Sequence, residues 1–174
     1  MSIERKWYAL YTKPKHEFKA EIQLGEMGIE CYLPKITQIK QWSDRKKKVI
    51  EPLFKSYIFI HVDNSERYIA VQAKSIVKIV NFHGTPATLP DWQIENLQKM
   101  LATNPDAFVS ELIKIGTSVK IIEGPFAGVE GILAAYGNNE SVLGVNIDML
   151  QRSVMVYLPA SSVIEEIHKQ ENTI

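Results

Sequence analysis

Residues 51–62 read EPLFKSYIFIHV, and no other stretch narrows the possible folds as much. Pro52 lacks a backbone donor and cannot sit inside a ladder, so whatever strand precedes it stops there. Tyr57, Ile58, Phe59, Ile60, His61 and Val62 come next, in a run whose β-branched and aromatic character predicts a strand. Alternation puts Tyr57, Phe59 and His61 on one face and Ile58, Ile60 and Val62 on the other. Both faces are mostly apolar, so the strand should be central and covered on both sides. The aromatic face must then be covered by more of this chain, by nucleic-acid bases or by another protein.

Around this strand the front half reads as β-α-β-β-α-β-α, close to the split β-α-β, ferredoxin-like arrangement. WYALYT at 7–12 is a short aromatic strand. Pro14 suits the start of a helix reaching about Met27, with Phe18, Ala20, Ile22, Leu24 and Met27 as its apolar stripe and Gly28 past its end. Lys13, Lys15, His16 and Lys19 crowd the start of that helix. Pro34 marks 30–36 as an edge strand. The segment to Pro52 reads as a long hairpin whose tip holds Trp42, Arg45, Lys46, Lys47 and Lys48. Phosphates attract such cations and an exposed indole can stack on a base; the plain alternative is a Lys-blunted edge that resists aggregation. Asp63 to Ser65 offers a cap for a helix over 65–74. A strand at 76–82, a turn at 83–86 and a helix from Pro90–Asp91 with Trp92, Ile94, Leu97 and Leu101 complete the unit. Residues 104–112 read as a linker.

From 113 onward helical periods vanish. Short strands at 117–122, 129–136, 142–147, 152–157 and 163–164, with a turn at 137–139, predict a small closed barrel. Val and Ile dominate this part, and Gly and Pro interrupt it, so it should be β only. Charge divides the same way: residues 1–60 hold 12 Lys+Arg against 7 Asp+Glu, and residues 61–174 hold 8 against 13. A basic front and an acidic back suggest different partners. The 174 residues are 45% hydrophobic, which fits one domain or two small ones and excludes a disordered chain. A lone Cys31, no signal core and no membrane-length apolar run predict a cytoplasmic protein without membrane association.

Chemistry is conspicuously lacking. No HExxH, CxxC, GxSxG or phosphate loop occurs, and Gly124, Gly128 and Gly131 are misspaced for dinucleotide binding. His16, His61, His83 and His168 are scattered, and Cys31 reads as an inert core thiol. No enzyme activity, cofactor or metal site is expected.

Gly124-Pro125-Phe126-Ala127-Gly128 must turn sharply between strands, with Phe126 filling one barrel end and Gly131 in the next strand. The pattern resembles the KOW motif. WYALYT, CYLP, the basic arm and EPLFKSYIFIHV together resemble the N-terminal domain of the NusG family, best its specialised RfaH-like branch serving long polysaccharide operons. The resemblance spans nearly the whole chain. It implies an α+β protein: a ferredoxin-like α/β N-terminal (NGN-type) domain over 1–103, a linker over 104–112, and a small SH3-like β-barrel (KOW) domain over 113–168.

The function this implies is transcription elongation and antitermination by a monomer riding on RNA polymerase. Its clamp-helix pocket would use Tyr11, Phe54, Tyr57 and Phe59, ringed by Ile79, Phe82, Ile94 and Leu97, with an apolar helix-in-groove contact. Trp7 and Tyr8 match the family's opening aromatics. Lys13 and Lys19, with Lys15, His16, Gln23 and Lys74, would touch the non-template DNA strand. Where the RfaH-like branch carries His-Thr-Thr, this chain has Arg67-Tyr68-Ile69, so the gate-loop contact is not carried over. The acidic KOW barrel would meet a small-subunit ribosomal protein or termination factor Rho.

Two rivals start from the same residues. Lys55, Tyr57 and Phe59 partly fit the RNA-recognition strand motif, but Ser56 and Ile58 stand where small residues let RNA approach. A ribosome-associated protein built on the KOW barrel would ordinarily be basic throughout, and this chain is neutral.

Overall fold

In the computed structural model of the chain, residues 4–103, 106–137 and 140–167 are described. Two compact units divide it, Met1–Asp91 and Trp92–Ile174.

The first unit is built on a sheet with strand order β2-β5-β1-β6. Strand β1 is Lys6–Thr12, β2 is Cys31–Tyr32, and two arm strands come after it, β3 (Lys35–Gln41) and β4 (Lys46–Pro52). Strand β5 is Tyr57–Val62 and β6 is Ile76–Ile79. Both crossovers carry a helix, α1 (Glu17–Glu26) and α2 (Asn64–Ala70). Strand β5 pairs antiparallel with β1 on one side and β2 on the other. It is therefore central, and the order is that of a split β-α-β. Three short strands end the unit: β7 (Asn81–Phe82) with β8 (Thr85–Pro86), and β9 (Thr88–Leu89) on β1. His83 and Gly84 both take positive φ, 47° and 82°, which closes the β7–β8 hairpin in the primed sense that matches strand twist.

The core lies on the helix side of this sheet. Tyr8, Leu10, Ile58, Ile60 and Val62 pack there with Ala20 and Leu24 of α1 and Ala70 of α2. Helix α1 starts later than expected. Lys15 has φ 61°, which an α-helical residue cannot have, so Pro14 and Lys15 form a turn and the helix begins at Glu17. The buried stripe is also narrower than expected: Ala20 and Leu24 are buried, while Phe18 and Met27 are exposed and Ile22 is 62% exposed. Gly28, at φ 72°, ends the helix as expected. Helix α2 opens with a capping box, Glu66 N–H donating to Asp63 Oδ1 at 2.8 Å and Asp63 N–H to Glu66 Oε2 at 3.1 Å.

The second unit begins with α3 (Asp91–Leu101), which falls here and not in the first unit as expected. Polar side chains attach it. Gln93 Nε2 donates to Asp148 Oδ2 at 2.6 Å, Glu130 N–H donates to Asn96 Oδ1 at 3.0 Å, and Lys99 Nζ reaches the Gly128 carbonyl at 3.5 Å. Gln93 and Asn96 are both buried, so each needs such a partner. The expected linker also contributes structure: its residues 108–111 form β10 (Phe108–Glu111). The remaining strands are β11 (Thr117–Glu123), β12 (Glu130–Tyr136), β13 (Glu140–Ile147), β14 (Arg152–Tyr157) and β15 (Val163–Glu166). All pair antiparallel in the order β10-β14-β13-β12-β11-β15. The predicted strands are present, but among the described residues their ladder does not close. Strand β10 takes the free edge of β14, and among the described residues β10 and β15 remain the sheet's two ends. Asn104, Pro105, Asn138, Asn139 and His168 lie outside the described residues.

Candidate partner-binding face and nucleic-acid interface

The register of β1 on β5 sorts their side chains. Residues directly opposite share a face, so Trp7/His61, Ala9/Phe59 and Tyr11/Tyr57 form the face opposite the one packed on α1 and α2. Three ring pairs cover it. Trp7 stacks on His61 with centroids 5.0 Å apart, and Tyr11 lies 4.6 Å from Tyr57. Phe54, just before β5, meets Phe59 edge-on at 5.9 Å. The Tyr57 hydroxyl donates to the Tyr11 hydroxyl at 2.9 Å. Phe54 and Phe59 are buried; Tyr11 and Tyr57 are half-buried. Trp7 and Tyr8 are buried as well. Phe54 and Phe59 thus form a floor, and the two tyrosines its accessible end.

Four of the eight residues expected around a pocket therefore come together: Tyr11, Phe54, Tyr57 and Phe59. Ile79 does not join them. It pairs with Leu10, whose face is the helix side, and packs against the helix-side core. Phe82 sits on the β7–β8 hairpin, 68% exposed and edge-on to His83. Ile94 and Leu97 are fully buried members of α3 in the second unit. Two further residues of this face are not evident from sequence reasoning. Tyr32 pairs with Phe59 from β2, and burial pushes its phenol well above the ordinary value of 10.0. Lys78 pairs with Tyr11 from β6 and holds its ammonium 5.4 Å from that ring, a cation–π contact. Both become legible as alternate positions only once the register is known.

The cations expected to touch nucleic acid fall in two places. Lys13, Lys15 and Lys19 are exposed around the start of α1, and His16 is half-buried with Nδ1 2.9 Å from the Pro14 carbonyl. Lys13 N–H donates to the Ser75 carbonyl at 2.9 Å, which brings exposed Lys74 to the same end of the sheet. Gln23 Oε1 accepts from Ser75 N–H at 3.0 Å, which ties this side chain to the same end of the sheet. Glu17, at the start of α1, is buried, its Oε1 accepting from Ser56 N–H at 2.7 Å.

The other place is the arm. Among the described residues strands β3 and β4 pair only with each other, from Lys35/Pro52 out to Gln41/Lys46. Trp42 N–H donates to the Arg45 carbonyl at 2.8 Å across the tip. Lys40 ion-pairs with Glu51, and Lys47 Nζ lies 5.7 Å over the Trp42 ring. Arg45, Lys46 and Lys48 are exposed.

In the second unit Gly124 and Gly128 take φ 113° and 82°, and Phe126 is buried, so the turn at 124–128 is built as expected. A Cβ on Gly131 would meet the Gly144 carbonyl oxygen at 2.6 Å, which explains its glycine. Pro125 leads this turn. Cys31 is half-buried against the helix-side core, and burial raises its thiol pKa, so it is a packing residue with a suppressed thiolate. Among the described residues no cluster of three or more His, Cys, Asp or Glu could hold a metal, and no helix is long and apolar enough to cross a membrane.

Comparison with known proteins bears on the whole chain. The family model described as "Transcription termination factor nusG" matches residues 5–98. The transcription termination/antitermination protein NusG of Campylobacter jejuni is 29% identical, over 91% of this chain and 96% of its own. That of Deinococcus radiodurans is 25% identical, over 94% and 99%. A solved structure titled "Domain interaction in Thermotoga maritima NusG" aligns over 97% of this chain and 100% of its own, with TM-score 0.53 and 22% identity, a likeness of fold.

Proposed function

The chain belongs to the NusG family of transcription termination and antitermination factors, and from that premise we propose that it rides on RNA polymerase. Its contact is the aromatic face of the first unit, which takes the clamp helices of the largest subunit. The observation that carries this reading is the tyrosine pair. Tyr11 and Tyr57 are half-buried, bonded through their hydroxyls and seated beside a floor of buried Phe54 and Phe59. Rigid aromatics at an open edge present large area at small entropic cost, the make-up of interface hot spots. Burial of Phe59 also speaks against the RNA-recognition alternative, in which that ring would stack on a base.

On this reading the chain suppresses pausing on particular long operons, as a specialised RfaH-like paralogue does. Lys13, Lys15, Lys19 and Lys74 hold the non-template strand, the arm at 35–52 makes a further nucleic-acid contact, and the KOW unit meets a small-subunit ribosomal protein or Rho. The test is binding of purified core polymerase by the full chain. Tyr57→Ala and Tyr11→Ala should each weaken it roughly tenfold or more, since truncating a hot spot costs about 2 kcal/mol. Read-through in run-off transcription should fall in step. Unchanged polymerase affinity in the double variant, with its urea midpoint preserved, would remove the clamp-helix assignment.

A further inference from the structure

The arm is more than a basic loop. Its strands are seven residues each, ~23 Å at the usual rise. Beyond Thr37 every residue of the arm out to its tip and back to Lys48 is exposed. Residues 38–50 hold five cations, Lys40, Arg45, Lys46, Lys47 and Lys48, against the single carboxylate of Asp44. The pairing divides the ribbon into two unlike faces. One carries Gln38, Val49, Lys40 and Lys47, where Lys40 is neutralised by Glu51 and Lys47 rests on Trp42. The other carries Thr37, Ile39, Gln41, Lys46, Lys48 and Ile50. On it Ile39 is 65% and Ile50 59% exposed, and among the described residues no salt bridge engages Lys46 or Lys48.

We propose that this second face is a duplex-DNA contact, laid along the major groove; the proposal rests on the nucleic-acid reading of the arm and gives it a ligand. A two-stranded β-ribbon fits that groove. Same-face residues on a strand recur every ~6.8 Å, and two base-pair steps advance the same distance, so Thr37, Ile39 and Gln41 keep pace with alternate base pairs. Their chemistry is that of base-edge reading: Ile39 and the Thr37 methyl can meet thymine methyls, Lys46 and Lys48 can reach guanine or phosphate, and Gln41, whose Nε2 donates to the Trp42 carbonyl at 3.2 Å, can pair with adenine on exchanging that bond for the base. A single strand is the poorer ligand. It needs a free aromatic platform, and one face of the only arm aromatic, Trp42, is taken by the Lys47 ammonium.

The experiment is fluorescence anisotropy with the full-length chain, a labelled duplex of roughly 30 base pairs and its two separate strands, across roughly 50–200 mM salt. Duplex should bind tighter than either strand. Combined Arg45→Ser, Lys46→Ser and Lys48→Ser should lower the slope of log affinity against log salt by about 1 for each phosphate contact removed, while polymerase binding survives. Ile39→Ser with Gln41→Ala should leave the slope alone and flatten discrimination between duplex sequences. An unchanged slope in the triple variant overturns the proposal. So does equal binding of single strands that falls on Trp42→Ala. So does arm-dependent binding to phosphatidylcholine vesicles with about 30% phosphatidylserine when duplex is ignored. Tyr57→Ala should leave duplex binding intact, so failure of the polymerase contact and failure of the arm show in different assays.

Discussion

Glu17 is the residue whose replacement tests the architecture of the first unit most directly. It is 5% exposed, and its Oε1 accepts the Ser56 N–H at 2.7 Å. Ser56 sits at φ 64°, immediately before β5, and its carbonyl accepts from Thr12 N–H at the end of β1. One carboxylate thus joins the first turn of α1 to the chain that launches the central strand. A hydrogen bond to a charged acceptor is worth about 1.5–3 kcal/mol, and stranding the donor adds to the loss. Glu17→Ala should therefore cost roughly 2–3 kcal/mol, whereas Glu17→Gln keeps an oxygen in place and should cost about half as much. With urea slopes of about 1–3 kcal/mol per M, the alanine variant's midpoint should fall by roughly 1–2 M, read from the fluorescence of buried Trp7. Ser56→Gly should move the midpoint the other way, because the left-handed backbone then carries no Cβ penalty. If Glu17→Ala and Glu17→Gln shift the midpoint equally, or not at all, the carboxylate is not fastening Ser56 and this account of the β5 entry is wrong.

Two further outcomes concern other parts of the chain. In the second unit, Gly131→Ala drives a Cβ to 2.6 Å from a backbone oxygen and 3.0 Å from Leu143 Cδ1, so it should lower stability by roughly 1–3 kcal/mol. Gly128→Ala meets open space and bears only its φ of 82°, so a thermal melt should rank it the milder; the reverse order would contradict the packing described. In the first unit, Arg5 donates to both Glu66 oxygens, at 2.5 and 3.1 Å, and with the Asp63 N–H holds the Glu66 carboxyl below its ordinary 4.5. A folded pKa below the unfolded one gives stability that is complete above the unfolded value and lost as pH falls through the folded one. The midpoint difference between the natural chain and Glu66→Gln should thus be present at neutral pH and shrink as the pH drops below 4.5; a difference constant down to acid unfolding would rule this out.

The residues of 51–62 announce the central strand and the split of its faces correctly, because both come from a two-residue period that local sequence displays. The hidden part depends on pairing. Ile79 looks as suitable for the aromatic face as Tyr57 does, and only its partner Leu10 shows it on the helix side. Phe18 and Ile22 look like a widening of the helical stripe, but each stands two residues, about 200° of helix rotation, from Ala20 or Leu24, and so faces outward. Gln93 and Asn96 look like a solvent face of α3, yet their partners lie 34 residues or more downstream, on Glu130 and Asp148. The cationic arm is plain from composition; which of its lysines are spoken for, by Glu51 or by Trp42, is not.

The strand at 108–111 alters where the second unit must be said to start. Phe108 to Glu111 cover the backbone of Arg152 to Met155. Ser153 then secures the next stretch of chain, its Oγ accepting Ile113 N–H at 2.8 Å and donating to Asn146, whose amide returns to the Ile113 carbonyl. A fragment cut at 113, where the glycine-rich strands become obvious to the eye, would shed this covering. It would leave a naked β14 margin able to recruit a neighbouring molecule's strand, so a preparation of that piece could associate with itself for reasons foreign to the intact chain.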